Sequence, residues 1–201
     1  MAQLHKRNSR FDLDSFYYWS IFFFMFSNVK HVFGMPFFLT KLSSYEILKR
    51  DVNFIAVLVG DGPLKSSIEL KAKELGINNN IRFLGVRKDI PRLLKAFDVF
   101  LFPSLFEGFG IVTLEAQCSG TPCIVADTIP RNTDMGLGII SFISLDEKLE
   151  VWSGEINKAL LKEKPERSKI INNISKLGFD INSNIPDWLS LYGIECKEYI
   201  R

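Results

Sequence analysis

A doubly wound α/β fold around a parallel sheet is the architecture this 201-residue sequence predicts, and three observations predict it. Continuous apolar runs of strand length, led by Asn53 to Val59 (NFIAVLV), have the β-branched content of strands buried on both faces. Turn residues follow, and apolar residues then recur at helical spacing, as Leu64, Ile68, Ala72 and Leu75 do. The two kinds of segment alternate from residue 53 to residue 126, the order expected when helices cross over between parallel neighbours.

Each element has its own justification. The strand Asn53 to Val59 ends in Gly60-Asp61-Gly62-Pro63, where Pro63 suits the first position of a helix. Within that helix Glu69 and Lys73 are spaced as an i,i+4 ion pair, and Gly76 supplies the stop. Ile81 to Leu84 makes a short strand, Asp89 to Ala96 a short helix with Asp89 as its N-cap, and Val99 to Phe102 the next strand. A helix from Gly110 to Cys118 is stopped by Ser119-Gly120, and Cys123 to Ala126 is a further strand. Beyond Ile143, extra C-terminal helices are expected at Glu147 to Leu161, Pro165 to Leu177 and Pro186 to Tyr199. Trp152 and Trp188 read as packing residues there, and Leu189, Leu191 and Tyr192 as exposed.

Composition narrows function before any motif is considered. A hydrophobic content of 47% with 24% charged residues excludes wholesale disorder. Twenty-five Lys plus Arg against 23 Asp plus Glu leave a net charge of +2, too balanced for a nucleic-acid surface. Cys118, Cys123 and Cys196 are odd in number and lack CxxC spacing. They support neither a disulfide framework nor a zinc site and point to a reducing compartment, with Cys118 and Cys123 as small buried apolar residues. The only histidines, His5 and His31, lie near the N-terminus, which disfavours Ser-His-Asp, Cys-His and His-rich metal chemistry.

Residues 1–45 differ in character from the rest. Nine of the 18 phenylalanines precede residue 39, and no charge occurs between Ser15 and Val29. The run Phe16 to Phe26 is short of the ~20 residues that span a bilayer, and it shows neither strand alternation nor a helical stripe. Asp12 and Asp14 beside it argue against a secretory signal. A membrane-associating segment, an ordinary core element and an aberrant N-terminus all stay open.

Ligands of a doubly wound sheet sit at the carboxyl ends of its strands. Gly60 and Gly62 would let a ligand approach the backbone closely, although the same pattern also reads as a tight turn. The loop Gly85 to Asp89 places Arg87 on the same edge. Pro103 to Glu115 (PSLFEGFGIVTLE) carries most of the chemistry. Gly108, Phe109 and Gly110 lie at a helix start, where free N–H groups and the helix dipole favour an anion such as a diphosphate. Glu107 precedes the turn. Glu115 follows Ile111 by four residues and precedes Cys118 by three, which places it on an apolar, inward-facing stripe. A carboxylate there needs a partner, and a diol offers two donors. The alternative is a helix rotated to expose Glu115, with Glu107 an ordinary loop acid.

The stretch Glu107 to Ala116, EGFGIVTLEA, with its two glutamates separated by seven residues, resembles the signature of the family-4 retaining glycosyltransferases (glycosyl transferases group 1). VGDGPLK at 59–65, FLGVRKDI at 83–90, DVFLFPSLFEGFG at 98–110 and SGTPCIVAD at 119–127 follow that family's C-terminal domain in order and spacing. SFISLDE and VWSGEI further resemble its exopolysaccharide and capsule members. The resemblance covers residues 46 to 180.

It implies the Rossmann-like, nucleotide-sugar-binding half of a two-domain GT-B enzyme over residues 46–201, behind an atypical Phe-rich segment at 1–45. Glu107 would be the catalytic candidate, holding hydroxyls of the donor sugar, and Glu115 would hold the ribose. Backbone amides of Phe109, Gly110, Ile111 and Val112, beyond Gly108, would contact sugar and diphosphate. Gly60 and Gly62 would line the diphosphate side, and Gly85 to Arg87 would border the base. The expected donor is a UDP-sugar or another nucleotide-diphosphate sugar, and the acceptor a glycan or lipid-linked glycan. No metal or cofactor is expected. The implied reaction transfers a hexosyl group with retention, by same-face attack without a protein nucleophile, in bacterial surface-polysaccharide assembly. The implied setting is the cytoplasm or the inner face of the membrane.

The family also carries an Arg and a Lys, roughly GRxxxxK, in a loop after the first strand of this domain. The corresponding stretch is expected at residues 10 to 30, where SRFDLDSFYYWSIFFFMFSN supplies neither the glycine nor the lysine. The family's N-terminal acceptor domain has no counterpart in the sequence, so a truncated enzyme is expected. Two rivals stay open. One is a non-catalytic nucleotide-sugar-binding or partner subunit that contacts a membrane or a second chain through residues 11–40. The other is a sugar-nucleotide epimerase of similar fold.

Overall fold

The computed structural model describes residues 30–32, 54–61, 65–104 and 107–193. Strands β1 (Lys30–Val32), β2 (Phe54–Leu58) and β3 (Ile81–Phe83) form one parallel set, with Lys30 opposite Phe54 and Ala56 opposite Ile81. Strands β4 (Phe100–Phe102), β5 (Cys123–Ala126) and β6 (Ile140–Ile143) form a second, with Phe100 opposite Cys123 and Cys123 opposite Ile140. Cα atoms of β1 and β4 come within 8 Å of each other. The two sets therefore lie side by side in the order β3-β2-β1-β4-β5-β6. The strand order reverses between β1 and β4, which is where a doubly wound sheet opens its ligand crevice.

Two strands depart from expectation. Lys30–Val32, inside the atypical Phe-rich segment at 1–45 to which no strand was assigned, pairs with β2 and supplies the strand at the switch point. The stretch at residues 10 to 30 expected to hold the cationic loop lies, apart from Lys30, outside the described residues, as do residues 33–53 after this strand. Strand β6 was not anticipated. It is a four-residue edge strand with Ile140, Ser141 and Phe142 only half-buried, too short and too mixed to show a period.

The α-helices are α1 (Lys65–Glu74), α2 (Ile90–Ala96), α3 (Ile111–Cys118), α4 (Leu149–Leu160), α5 (Arg167–Lys176) and α6 (Ile181–Leu191). Helix α1 buries Ile68 and Ala72 of its expected stripe, and Gly76 ends it in the left-handed conformation; Pro63 and Leu64 lie outside the described residues. Its ion pair joins Lys71 to Glu74 at 2.9 Å, in place of the expected Glu69 and Lys73. Asp89 precedes α2 but makes no side-chain capping bond. Helix α6 begins at Ile181, five residues before Pro186, because Asp180 caps it by accepting from the Asn182 amide at 3.3 Å. Pro186 sits inside the helix, which reaches Leu191 instead of Tyr199.

The main core fills both sides of the sheet. Leu58, Phe100, Leu101 and Ile124 from the strands meet Leu94 of α2, Phe97 just after it, and Trp152, Ile156 and Ala159 of α4. Each fully buried large side chain contributes roughly 1.5–3 kcal/mol. Trp152 also donates its indole N–H to the Ser144 carbonyl at 3.2 Å. A second, smaller core joins Leu114 of α3 with Met135, Leu137, Ile139 and Ile170, and Phe109 packs on it. Lys164 ties the C-terminal helices to the sheet by donating to the Lys95 and Phe97 carbonyls at the end of α2. Trp188 is 61% exposed, contrary to its reading as a packing residue, while Leu191 and Tyr192 are exposed as expected. Among the described residues no helix is long and apolar enough to cross a membrane.

Candidate functional site

Four loops gather at the carboxyl edge of the sheet: Gly60-Asp61 after β2, Leu84 to Asp89 after β3, Pro103 to Gly110 after β4, and Asp127 to Pro130 after β5. The first two are joined directly, since the Gly60 amide donates to the Gly85 carbonyl at 2.8 Å. Gly60 has φ +127°, a conformation closed to side-chain-bearing residues, so glycine is required there. Gly62 lies outside the described residues.

Arg87 stands on this edge, yet it is already engaged. Its Nε and Nη2 donate to the two Asp89 carboxylate oxygens at 2.8 Å each. The hydrogen bonds raise the guanidinium and lower the Asp89 carboxyl. This bidentate pairing is why Asp89 does not cap α2, and it presents the loop's backbone, more than a free cation, to a ligand.

The β4 loop is built from both ends. Ser104, 2% exposed, donates its hydroxyl to Glu107 Oε1 at 3.3 Å. Glu107 is half-buried, and desolvation pushes its carboxyl above the usual range, an effect that the Ser104 bond opposes. Gly108 is exposed, whereas Phe109 is half-buried against Phe179, at the corner between α5 and α6. Gly110 is buried with φ +77°, and an added Cβ would lie 3.3 Å from Ile129 Cγ2. Glycine is therefore needed both for its conformation and for space at the entry to α3.

Helix α3 corrects the sequence reading. Thr113, Leu114, Ala116 and Gln117 face inward, and the stripe of Ile111, Glu115 and Cys118 faces outward. Of its two inward polar residues, Gln117 donates to the Thr113 and Thr133 carbonyls at 3.1 and 2.7 Å and accepts from the Met135 amide at 3.0 Å. That satisfied amide, supplied by a loop that sequence spacing does not show, sets the rotation of the helix. Glu115 is exposed and not buried, though still sufficiently desolvated to raise its carboxyl. Its charge helps raise the neighbouring Cys118 thiol, which is exposed rather than core; Cys123 is buried as expected. Ile111, 65% exposed, shares the Glu115 face, and Val112 packs on the main core.

Chemically, the edge offers the first-turn amides of Ile111 and Val112 and the positive end of α3 to an anion, with one carboxylate ahead of the turn and another a helical turn beyond it. Both carboxylates are acceptors for hydroxyl donors. Residues 40–177 match the model of the glycosyl transferases group 1 family. The chain belongs to that family.

Relatives and solved structures agree with the assignment. EpsF of Bacillus subtilis (strain 168), a provisionally named glycosyltransferase, is 38% identical over 161 residues, which are 80% of this chain and 42% of EpsF. The UDP-Gal:alpha-D-GlcNAc-diphosphoundecaprenol alpha-1,3-galactosyltransferase of Escherichia coli is 42% identical over 79 residues, 39% of this chain and 20% of that one. In structure, the lipopolysaccharide outer core galactosyltransferase WaaB superposes with a TM-score of 0.59 at 21% identity over 81% of this chain and 48% of its own. Anabaena HepE in complex with UDP-glucose gives a TM-score of 0.59 at 24% identity over 79% and 44%. The fold is the expected half of a GT-B glycosyltransferase. This member of the family spans about two-fifths of the length of EpsF, 42%.

Sequence reasoning missed Ser104, Gln117 and Phe179. Each bonds to or packs on a site residue or its support from across a loop or from another element, and only the folded chain brings its partner near.

Proposed function

We propose that this chain is the donor-binding domain of a family-4 retaining glycosyltransferase that transfers a hexosyl group from a nucleotide-diphosphate sugar to a glycan or lipid-linked acceptor in surface-polysaccharide assembly. The observation that carries the reading is the placement of α3. Its N-terminus stands at the carboxyl edge beside the β1–β4 switch point, with Glu107 immediately ahead of it and Glu115 on its outward face. A diphosphate against the α3 amides would leave the sugar toward Glu107 and the ribose toward Glu115. Leaving-group charge would then be met by fixed dipoles without a metal, and the sugar would be held for attack from the face the leaving group departs. The Escherichia coli relative, whose donor is UDP-galactose and whose acceptor is a sugar on diphosphoundecaprenol, supports a UDP-sugar and a lipid-linked acceptor. In this reading the chain works in the cytoplasm, against the inner face of the membrane where the acceptor is lipid-linked.

The test is a calorimetric and thermal-shift panel of UDP, GDP, ADP and their common sugars, with Glu115→Ala alongside. Selective binding of one nucleotide that the substitution weakens at least about tenfold supports the reading, in keeping with the cost of losing a charged hydrogen-bond partner. A flat panel from a cooperatively folded chain, or undiminished affinity in the variant, overturns it.

A further inference from the structure

We propose that Thr128 is a positioning residue for Glu107, acting through Ser104; the inference rests on the donor-domain reading of the site. Ser104 is the hinge of the argument. Its hydroxyl donates to Glu107 Oε1 at 3.3 Å, while its carbonyl accepts the Thr128 hydroxyl at 2.6 Å. Thr128 belongs to a different loop, the one that leaves β5, and that loop is itself firmly held. The Asp127 amide bonds the Ile143 carbonyl at 2.9 Å, the Ile129 amide bonds the Ala126 carbonyl at 3.1 Å, and the Ile129 side chain is 1% exposed.

The β5 loop thus grips the β4 loop at two points. Thr128 holds Ser104 on one side of Glu107, and Ile129 packs against Gly110 on the other. Glu107 and its turn are suspended between them. A half-buried carboxylate that must meet sugar hydroxyls has to be held to about half an ångström, and its bond to Ser104, at 3.3 Å, is only as firm as the Ser104 backbone. The Thr128 bond fixes that backbone from a rigid strand end. Without it the Ser104 carbonyl is freed to turn, the hydroxyl turns with it, and Glu107 loses the donor that aligns it. Such a defect acts on the sugar end of a donor and spares the nucleotide end.

The experiment compares Thr128→Val, which is isosteric but lacks the hydroxyl, with Thr128→Ser, which keeps it, and with Ser104→Ala. UDP, UDP-glucose, GDP and GDP-mannose are titrated by calorimetry, and the Glu107 carboxyl is followed by carbon-13 NMR titration in the absence of nucleotide. Thr128→Val is expected to weaken the nucleotide sugar about fivefold more than the free nucleotide, the worth of one hydrogen bond, with Thr128→Ser restoring the ratio to within about twofold. Combined with Ser104→Ala it should add little, since both remove the same support. The Glu107 titration should move upward in Thr128→Val.

A lowered melting temperature with an unchanged ratio and an unchanged Glu107 titration overturns the proposal and leaves Thr128 purely structural. Should the wild-type chain bind no nucleotide sugar, the donor-domain reading falls. The Glu107 titration then decides by itself whether Thr128 acts on that carboxylate.

Discussion

Phe109, in the loop that enters α3, packs its ring against Phe179 at the corner between α5 and α6, with centroids 6.0 Å apart and planes tilted by 57°. The C-terminal helices are therefore not an appendage to the sheet. They support the turn that carries Glu107, through the second core of Leu114, Met135 and Ile170 on which Phe109 also rests. Phe179→Ala removes an aromatic pair worth about 1 kcal/mol, which in a domain of this size lowers the melting temperature by about 2–4 °C. Nucleotide-sugar binding should weaken in parallel, and calorimetry of folding and of binding checks both.

Gly110→Ala should damage both the fold and the site. A side chain at φ +77° costs about 1–2 kcal/mol in backbone strain, before the approach of Cβ to Ile129 Cγ2 at 3.3 Å is relieved. Denaturant unfolding should show that loss, and the variant should bind donor poorly because the first turn of α3 shifts.

Thr113→Val is expected to stabilise. Thr113 is fully buried, and its hydroxyl is the one buried side-chain oxygen or nitrogen without a partner among the described residues. Replacing it with a methyl group of the same shape removes an uncompensated desolvation cost of about 1 kcal/mol. A rise in the unfolding midpoint, with the denaturant slope unchanged, is the outcome to look for.

Acidification should weaken donor binding while it relieves the folding cost of two carboxyls at the site. Burial raises the Glu107 carboxyl, and desolvation likewise raises Glu115. Ionised Glu107 accepts hydroxyl donors, so binding falls as pH drops through its raised value. For stability the sign reverses. A carboxyl that is raised on folding contributes stability fully below its unfolded value, and that contribution is lost as pH rises through the folded one. Calorimetric titrations from neutral pH downward should show the binding loss above the ordinary carboxylate range, and Glu107→Gln should remove that part of the pH dependence.

Much of the fold is legible in the amino-acid order because its causes are local. The run through Ala56, Val57 and Leu58, the left-handed Gly76 after α1, and the Trp152, Ile156 and Ala159 face of α4 each carry their own pattern. Strand β6 and the Lys30–Val32 strand do not, since a three- or four-residue segment is too short to display a period and is recruited by a neighbour's open edge. Helix α6 was misjudged at Pro186, because the Asp180 cap outweighs the preference of proline for a first turn.

The site divides along the same line. Sequence alone placed Glu107, Gly108, Phe109 and Gly110 at a helix start on the ligand edge of a parallel sheet, because strand, turn and helix are encoded within a dozen consecutive residues. It could not orient Glu115, since an eight-residue helix with apolar residues on two faces has no preferred rotation until something packs on it. Gln117 settled that by finding its partners in Thr133 and Met135, and Arg87 was claimed by Asp89 in the same way. Which carboxylate is held by Ser104, and Ser104 by Thr128, was likewise decided only when the loops of β4 and β5 came together. Helix and strand propensities act over a few residues. The rotation of a helix and the aim of a side chain depend on hydrogen-bond partners that only chain folding supplies.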